Sequence, residues 1–274
     1  MTTALVLGGG GVAGIAWEAG VVTGLRRLGV DLGTADRIVG TSAGSVVGTL
    51  VATGADLEEA VAHQAKVDTG PPPAVDMNEV MQAFAVMFDP NLDRREARRR
   101  VGQMALAAKV DHAAERLAAV GERLPVKEWP ERELLITSVD ATTGEFVVWD
   151  RSSGAPLVLA VASSCAVPMV FPPVEINGRR YVDGGVRSAT NADLAAGARA
   201  LVVLEPLGNL TPRAVLDAEM AKAGAAASYV VHPDTASVAV FGENVLDPGL
   251  WGPAFRAGLD QAATLAEPVA TVWS

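Results

Sequence analysis

One cysteine, Cys165, and three histidines, His63, His112 and His232, are all the thiol and imidazole groups that 274 residues offer. A single thiol excludes an intrachain disulfide framework and a cysteine-rich metal centre. The histidines lie far apart, with no H-x-x-x-H spacing, so zinc is not expected and neither is any other cofactor. Basic residues are also scarce: 22 Lys and Arg stand against 32 Asp and Glu, a net charge of −10. Phosphate neutralisation needs clustered cations, so nucleic acid is not the expected partner.

Charge is missing altogether from three long stretches, and each raises the question of a leader or a membrane span. Residues 1–17 have no basic start and carry five glycines, which is unlike a signal peptide. Residues 38–55 space Gly40, Gly44 and Gly48 like a membrane helix pair, but five hydroxyl side chains make a poor span. Residues 152–174 contain Pro156, Pro168, Pro172 and Pro173, which would break a spanning helix. Half the residues are hydrophobic, which excludes disorder. A soluble, cytoplasmic chain is expected.

The order of apolar runs and turns reads as alternating strands and helices. Ala4–Leu7 is a strand stopping in Gly8–Gly11, and a helix follows with Ile15, Val21, Val22, Leu25 and Leu28 at helical spacing. A second copy runs from Arg37–Val39 through Gly40–Gly44 into a small-residue helix over 45–53. Residues 70–125 read as all helical. Asp76 with Glu79 opens one helix there, with Val80, Met81, Phe84, Met87 and Phe88 on a face, and Asp93 with Glu96 opens another reaching about Val120. Strands return at 134–137 and 146–149, then a helix at 155–165. Asn177-Gly178 between two short strands predicts a type I′ hairpin ending in Asp183-Gly184-Gly185. A strand at 201–204, a helix opened by Thr211 with Pro212 first, a strand near Val230 and a helix near 253–266 complete the chain. Strands alternating with helices imply an α/β fold with a mostly parallel sheet, and no linker divides it, so one domain over 1–274 is expected.

Gly40-Thr41-Ser42-Ala43-Gly44 is G-x-S-x-G at a strand-to-helix turn, the context in which that pattern marks a nucleophile. Ser42 would sit at a helix N-terminus, where free N–H groups favour a developing alkoxide. The loop Gly8–Gly14 has two readings. Gly9-x-Gly11-x-x-Gly14 matches a dinucleotide fingerprint, and it equally suits an oxyanion hole, because both need backbone N–H groups converging on a negative oxygen. The dinucleotide reading wants an acidic residue ending the next strand, and that strand runs into Gly40 instead. For the base there are two candidates: Asp183, at a strand end, and His232, which copies the chain order Ser-Asp-His of an α/β-hydrolase triad.

These residues resemble the patatin-like phospholipases, serine acyl hydrolases using a Ser-Asp dyad. The resemblance runs from Leu5 to about Leu194 in four ordered motifs: the Gly8–Gly14 loop, the Gly40–Gly44 elbow, Ala162-Ser163-Ser164 through Val167-Pro168 to Phe171-Pro172-Pro173, and Tyr181–Gly185. It implies a three-layer αβα sandwich, with residues 195–274 as a C-terminal extension. Ser42 is then the nucleophile and Asp183 its proton acceptor. The N–H groups of Gly10, Gly11, Val12 and Ala43 form the oxyanion hole, and Gly40 and Gly44 shape the elbow. The implied partner is a lipid or other acyl ester; a short-chain esterase or thioesterase is the alternative among enzymes, and a nucleotide-binding regulatory module using the Gly8–Gly14 loop is the alternative of another class. One position departs: a basic residue usually precedes the loop's last glycine, and Ala13 stands there. Two features address the substrate side. Residues 80–88 could form a lid or acyl groove, and Arg94, Arg95, Arg98, Arg99 and Arg100 either meet anionic headgroups or form a solvated helix face. Contact with a membrane surface during turnover is therefore left open, as is the oligomeric state.

Overall fold

The computed structural model describes residues 2–73, 75, 77–110 and 113–273, apart from the side chains of 77, 84, 113, 114 and 116. The elements in chain order are β1 (Thr3–Leu7), α1 (Gly11–Arg27), β2 (Arg37–Gly40), α2 (Ala43–Ala52), α3 (Leu57–Val67), α4 (Met77–Met87), α5 (Arg94–Ala107), α6 (Ala113–Arg123), β3 (Glu133–Asp140), β4 (Phe146–Trp149), α7 (Leu157–Ser164), β5 (Val174–Ile176), β6 (Arg179–Asp183), β7 (Ala200–Leu204), α8 (Arg213–Ala223), β8 (Ala227–Val231), α9 (Thr235–Phe241) and α10 (Trp251–Trp273). The strands form one eight-stranded sheet in the order β5-β6-β3-β2-β1-β7-β8, with β4 added on β3. Strands β3, β2, β1, β7 and β8 run parallel, while β4, β6 and β5 pair antiparallel.

The central strands β1 and β7 are near-continuous apolar runs because both faces are covered. In β1, Leu5 and Leu7 point into a core under α1, α2 and α10, whereas Ala4 and Val6 point into a second core with Leu216 and Ala223 of α8. Strand β7 divides in the same way: Val202 and Leu204 go to the first core, Leu201 and Val203 to the second. This is the αβα layering that the family resemblance implies. Helix α1 lies directly on α10: a Cβ on Gly20 would fall 2.2 Å from the Phe255 carbonyl oxygen, and one on Gly258 would fall 2.3 Å from that of Trp17. Buried Trp17 closes the contact by donating its indole N–H to Gln261 Oε1 at 2.9 Å.

Several local expectations need correction. The helix opened by Asp93 is capped as predicted, Oδ1 accepting from the N–H groups of Arg95 and Glu96, but it ends at Ala107 and α6 starts anew at Ala113. Its buried side is Ala97, Val101 and Ala105, and Ala108 leaves the helix in an extended conformation. Helix α4 packs through Ala83, Val86 and Met87 and leaves Met81 and Phe88 exposed, so the buried stripe is rotated from the predicted one. Asp76 and His112 lie outside the described residues, as does the Phe84 side chain. Pro212 is the N-cap of α8 rather than its first residue, and the Thr211 hydroxyl donates to Glu205 Oε1 instead of capping. Helix α3 was not anticipated, although Asp56 three residues before Glu59 marked it: Asp56 Oδ1 accepts the Glu59 N–H at 3.0 Å.

The Asn177-Gly178 hairpin forms as expected, both residues at positive φ (51° and 76°). Its register has a consequence for the site. Ile136 pairs with Gly40 and with Trp149, and Ser138 pairs with Asp183 and with Val147. Because β4 occupies one edge of β3 along this length, β2 and β6 must share the other edge, meeting end to end. Gly40 and Asp183 therefore face β3 residues only two apart, ~7 Å along the strand. Parallel β2 brings in Ser42 and antiparallel β6 brings in Asp183 from the opposite direction.

Candidate active site

Ser42 occupies a backbone conformation that few side-chain-bearing residues adopt, φ 53° and ψ −117°, at the N-cap of α2. The turn is tight enough to exclude side chains around it: a Cβ on Gly44 would fall 2.0 Å from the Leu7 carbonyl oxygen, and one on Gly40 would fall 2.6 Å from that of Gly44. Surrounding groups hold the strained residue by its backbone. Its N–H donates to Ser164 Oγ at 2.9 Å, and its carbonyl accepts from Ser45 Oγ at 2.6 Å and from Cys165 Sγ at 3.3 Å. Ser164 ends α7 and Cys165 caps it, both within the third of the ordered motifs. The structure places them directly behind the elbow.

Asp183 is 4% exposed and Ser42 8%. The Asp183 Oδ1 accepts the Gly185 N–H at 2.7 Å, and its own N–H donates to the Ala166 carbonyl at 3.0 Å. Residues 164–166 thus touch both Ser42 and Asp183. A second link runs through Thr137, whose hydroxyl lies 2.9 Å from that of Thr41 and where a Cβ on Gly184 would sit, 2.1 Å away. Buried Asn191 donates through Nδ2 to Thr41 Oγ1 at 3.0 Å and to the Ser188 carbonyl at 2.9 Å. The neighbours of Ser42 and of Asp183 are therefore tied into one hydrogen-bonded layer. Asn191 and Thr137 went unnoticed in the sequence because their partners are remote along the chain.

The glycine loop runs beside Ser42. A Cβ on Gly9 would fall 3.5 Å from Ser42 Cβ. The Gly8 N–H donates to the Leu204 carbonyl and to Glu18 Oε1, at 3.0 and 2.8 Å, and the Gly9 N–H donates to the Ala189 carbonyl at 2.8 Å. Gly11 starts α1 at φ 61°. Among the described residues no chain acceptor is paired with the N–H of Gly10, Gly11, Val12 or Ala43. Two helix N-termini, those of α1 and α2, thus open beside one serine, and their free donors and dipoles favour negative charge there. Glu18, wholly buried beneath the loop, has its carboxyl pushed well above the usual range by burial, partly offset by the Gly8 N–H.

His232 is not part of this arrangement. It follows β8, with β1 and β7 intervening before β2, a separation of ~14 Å at the usual strand spacing. Its Nε2 lies 2.8 Å from Arg213 Nη1 and its Nδ1 3.2 Å from Glu205 Oε2. The dinucleotide reading of the glycine loop also loses ground, because the Val245 carbonyl already takes the Ala13 N–H at 3.0 Å. The five arginines of α5 are engaged locally. Arg94 donates to the Met87 carbonyl, Arg95 and Arg98 to the carbonyls of Thr143 and Gly144, and Arg99 and Arg100 to Glu96. They clamp the β3–β4 turn to the helix. No helix among the described residues is long and apolar enough to cross a membrane.

In a mostly parallel sheet layered between helices, a strained serine at the end of the second strand thus stands near a carboxylate arriving on an antiparallel hairpin. The family model for patatin-like phospholipases matches residues 5–196, and the chain belongs to that family. Uncharacterized NTE family proteins of Mycobacterium tuberculosis and Mycobacterium bovis are 30% identical to it over 184 residues, 67% of this chain and 42% of theirs. The chain thus spans less than half the length of these relatives. Among solved structures, VipD from Legionella pneumophila aligns over 97% of this chain and 67% of its own, with a TM-score of 0.48 and 14% identity. The type III effector protein ExoU aligns over 99% of this chain and 53% of its own, with a TM-score of 0.39 and 13% identity.

Proposed function

We propose that the protein is a serine hydrolase of lipid acyl esters working through Ser42 and Asp183. The observation that carries this reading is the strained Ser42 beside unclaimed N–H groups, with Asp183 ending the strand that meets β2 along the same edge of β3. Ser42 Oγ attacks the ester carbonyl carbon while its proton passes to the Asp183 carboxylate. The carbonyl oxygen, now an oxyanion, accepts from the N–H groups of Gly10, Gly11, Val12 and Ala43. The alcohol leaves with the proton from Asp183, giving a Ser42 acyl ester. Water then repeats the sequence, returning a fatty acid and free Ser42.

A carboxylate near pH 7 is a weak base, so its position must do what a histidine would otherwise do. Burial of Asp183 and of the layer around Thr41, Thr137 and Asn191 supports that role, since desolvation and fixed orientation both favour proton transfer. The absence of a cation at Ala13 favours an uncharged ester over an anionic headgroup.

A fluorophosphonate should label the parent chain at Ser42. Ser42→Ala should lose labelling and p-nitrophenyl ester hydrolysis, and Asp183→Asn should lose about 10³–10⁴ in kcat with KM little changed. Parental turnover by Ser42→Ala would overturn the assignment. Normal labelling of Asp183→Asn together with loss in His232→Ala would replace the dyad with a triad.

A further inference from the structure

The segment between α9 and α10 lies outside the residues matched by the family model, yet it borders the mouth of α1. The Val245 carbonyl takes the Ala13 N–H, the donor next in line after those of Gly10, Gly11 and Val12. The loop and the free donors therefore share one opening. A Cβ on Gly11 would fall 2.7 Å from the Val245 carbonyl oxygen and 2.9 Å from Leu246 Cδ2. Leu246 thus rests on Gly11, whose N–H has no chain acceptor among the described residues.

The loop has a defined shape. The Asn244 side chain accepts the Leu246 N–H at 3.1 Å, the Asp247 N–H donates to the Asn244 carbonyl at 3.1 Å, and Asp247 Oδ1 accepts the Gly249 N–H at 2.8 Å. Val245 and Leu250 pack against the main core. Leu246 is half-buried like both, but lies against the glycine loop. Its neighbours Glu243, Asn244 and Asp247 are polar and two of them acidic, and residues 242–250 contain no cation. An apolar side chain held by a hydrogen-bonded loop with an acidic flank, at the edge of a site, suits contact with an aliphatic group.

We propose that the 243–250 loop is a wall of the acyl-ester site and that Leu246 limits the length of aliphatic chain accepted, for an uncharged ester substrate. The inference rests on the hydrolase reading above. Backbone capture of Ala13 by Val245 fixes the wall against α1, and the Leu246 side chain then sets how far a chain extends past Gly11. The acidic flank repels an anionic headgroup approaching from this side.

The test compares the parent with Leu246→Ala and Leu246→Trp, each first shown to unfold cooperatively. All three are titrated with p-nitrophenyl esters from acetyl to dodecanoyl, alongside fluorophosphonate labelling of the parent and of Ser42→Ala. Leu246→Ala should raise kcat/KM for decanoate relative to butyrate about tenfold, mainly through KM, and Leu246→Trp should lower the same ratio by a similar factor. Chain-length profiles of both variants within twofold of the parent, with the parent labelled at Ser42, would overturn the wall alone. A parent that is not labelled at Ser42 would overturn the hydrolase reading, and the wall with it.

Discussion

Glu18 shows at the residue scale how a buried ionisable group can serve the site without reacting in it. Its Oε1 holds the Gly8 N–H at the start of the glycine loop, while Oε2 is buried with no hydrogen-bond partner among the described residues. Burial raises its pKa above the ordinary 4.5, with the Gly8 hydrogen bond acting the other way. In the window above 4.5 the folded chain therefore binds a proton that the unfolded chain has released, so this group costs stability as pH rises toward its folded pKa. Gln keeps the acceptor for Gly8 but cannot titrate. Urea unfolding of Glu18→Gln and the parent should agree near pH 4.5, and the variant should gain on the parent by up to about 1.4 kcal/mol per pH unit above it. An unchanged difference between pH 5 and pH 8 would mean that Glu18 is ionised in the fold. The residue-scale chemistry of Ser42 was legible because a G-x-S-x-G turn is local. Glu18 was not, because its carboxyl matters only once α1 lies under Gly8.

At the scale of elements, the α1–α10 contact sets two opposing effects against each other. Replacing a mid-helix glycine by alanine ordinarily gains about 1 kcal/mol of helix propensity. At Gly258 the added methyl would fall 2.3 Å from the Trp17 carbonyl oxygen, and forcing a backbone apart in a packed core costs about 1–3 kcal/mol or more. The clash dominates, because its partner is main chain and cannot swing aside. Gly258→Ala should therefore be destabilised by ~2 kcal/mol, read as a lower urea midpoint at constant m. Periodicity announced α1 and its neighbours correctly. It overran at Asp93–Val120, where the apolar spacing continues past the extended Ala108 that ends α5. It also misplaced the buried stripe of α4, because both sides of that helix carry apolar residues and packing against Val101 and Met169 chose between them.

For the whole molecule, the family match and the folding unit do not coincide. Residues 5–196 carry the matched motifs, but β1 pairs on its other side with β7, and α1 is covered by α10. A chain ending at residue 196 would expose Leu5, Leu7 and Trp17, which are 0% exposed in the full chain, at about 1.5–3 kcal/mol for each large side chain uncovered. Such a truncation should be insoluble or lack near-UV circular dichroism and cooperative unfolding, whereas the full chain should show both. A cooperative transition in the fragment would mean that β7, β8 and α10 are dispensable to the core. The sequence by itself determined the alternation of strands and helices, the serine turn, the Asn-Gly hairpin and the aspartate at its end, since each depends on residues adjacent in the chain. Only the tertiary structure decided that β6 meets β2 along one edge of β3, that two strands separate His232 from Ser42, and that Val245 and Leu246 close over the glycine loop. Those relations join segments as much as 235 residues apart, and packing and strand register, rather than local spacing, bring them together.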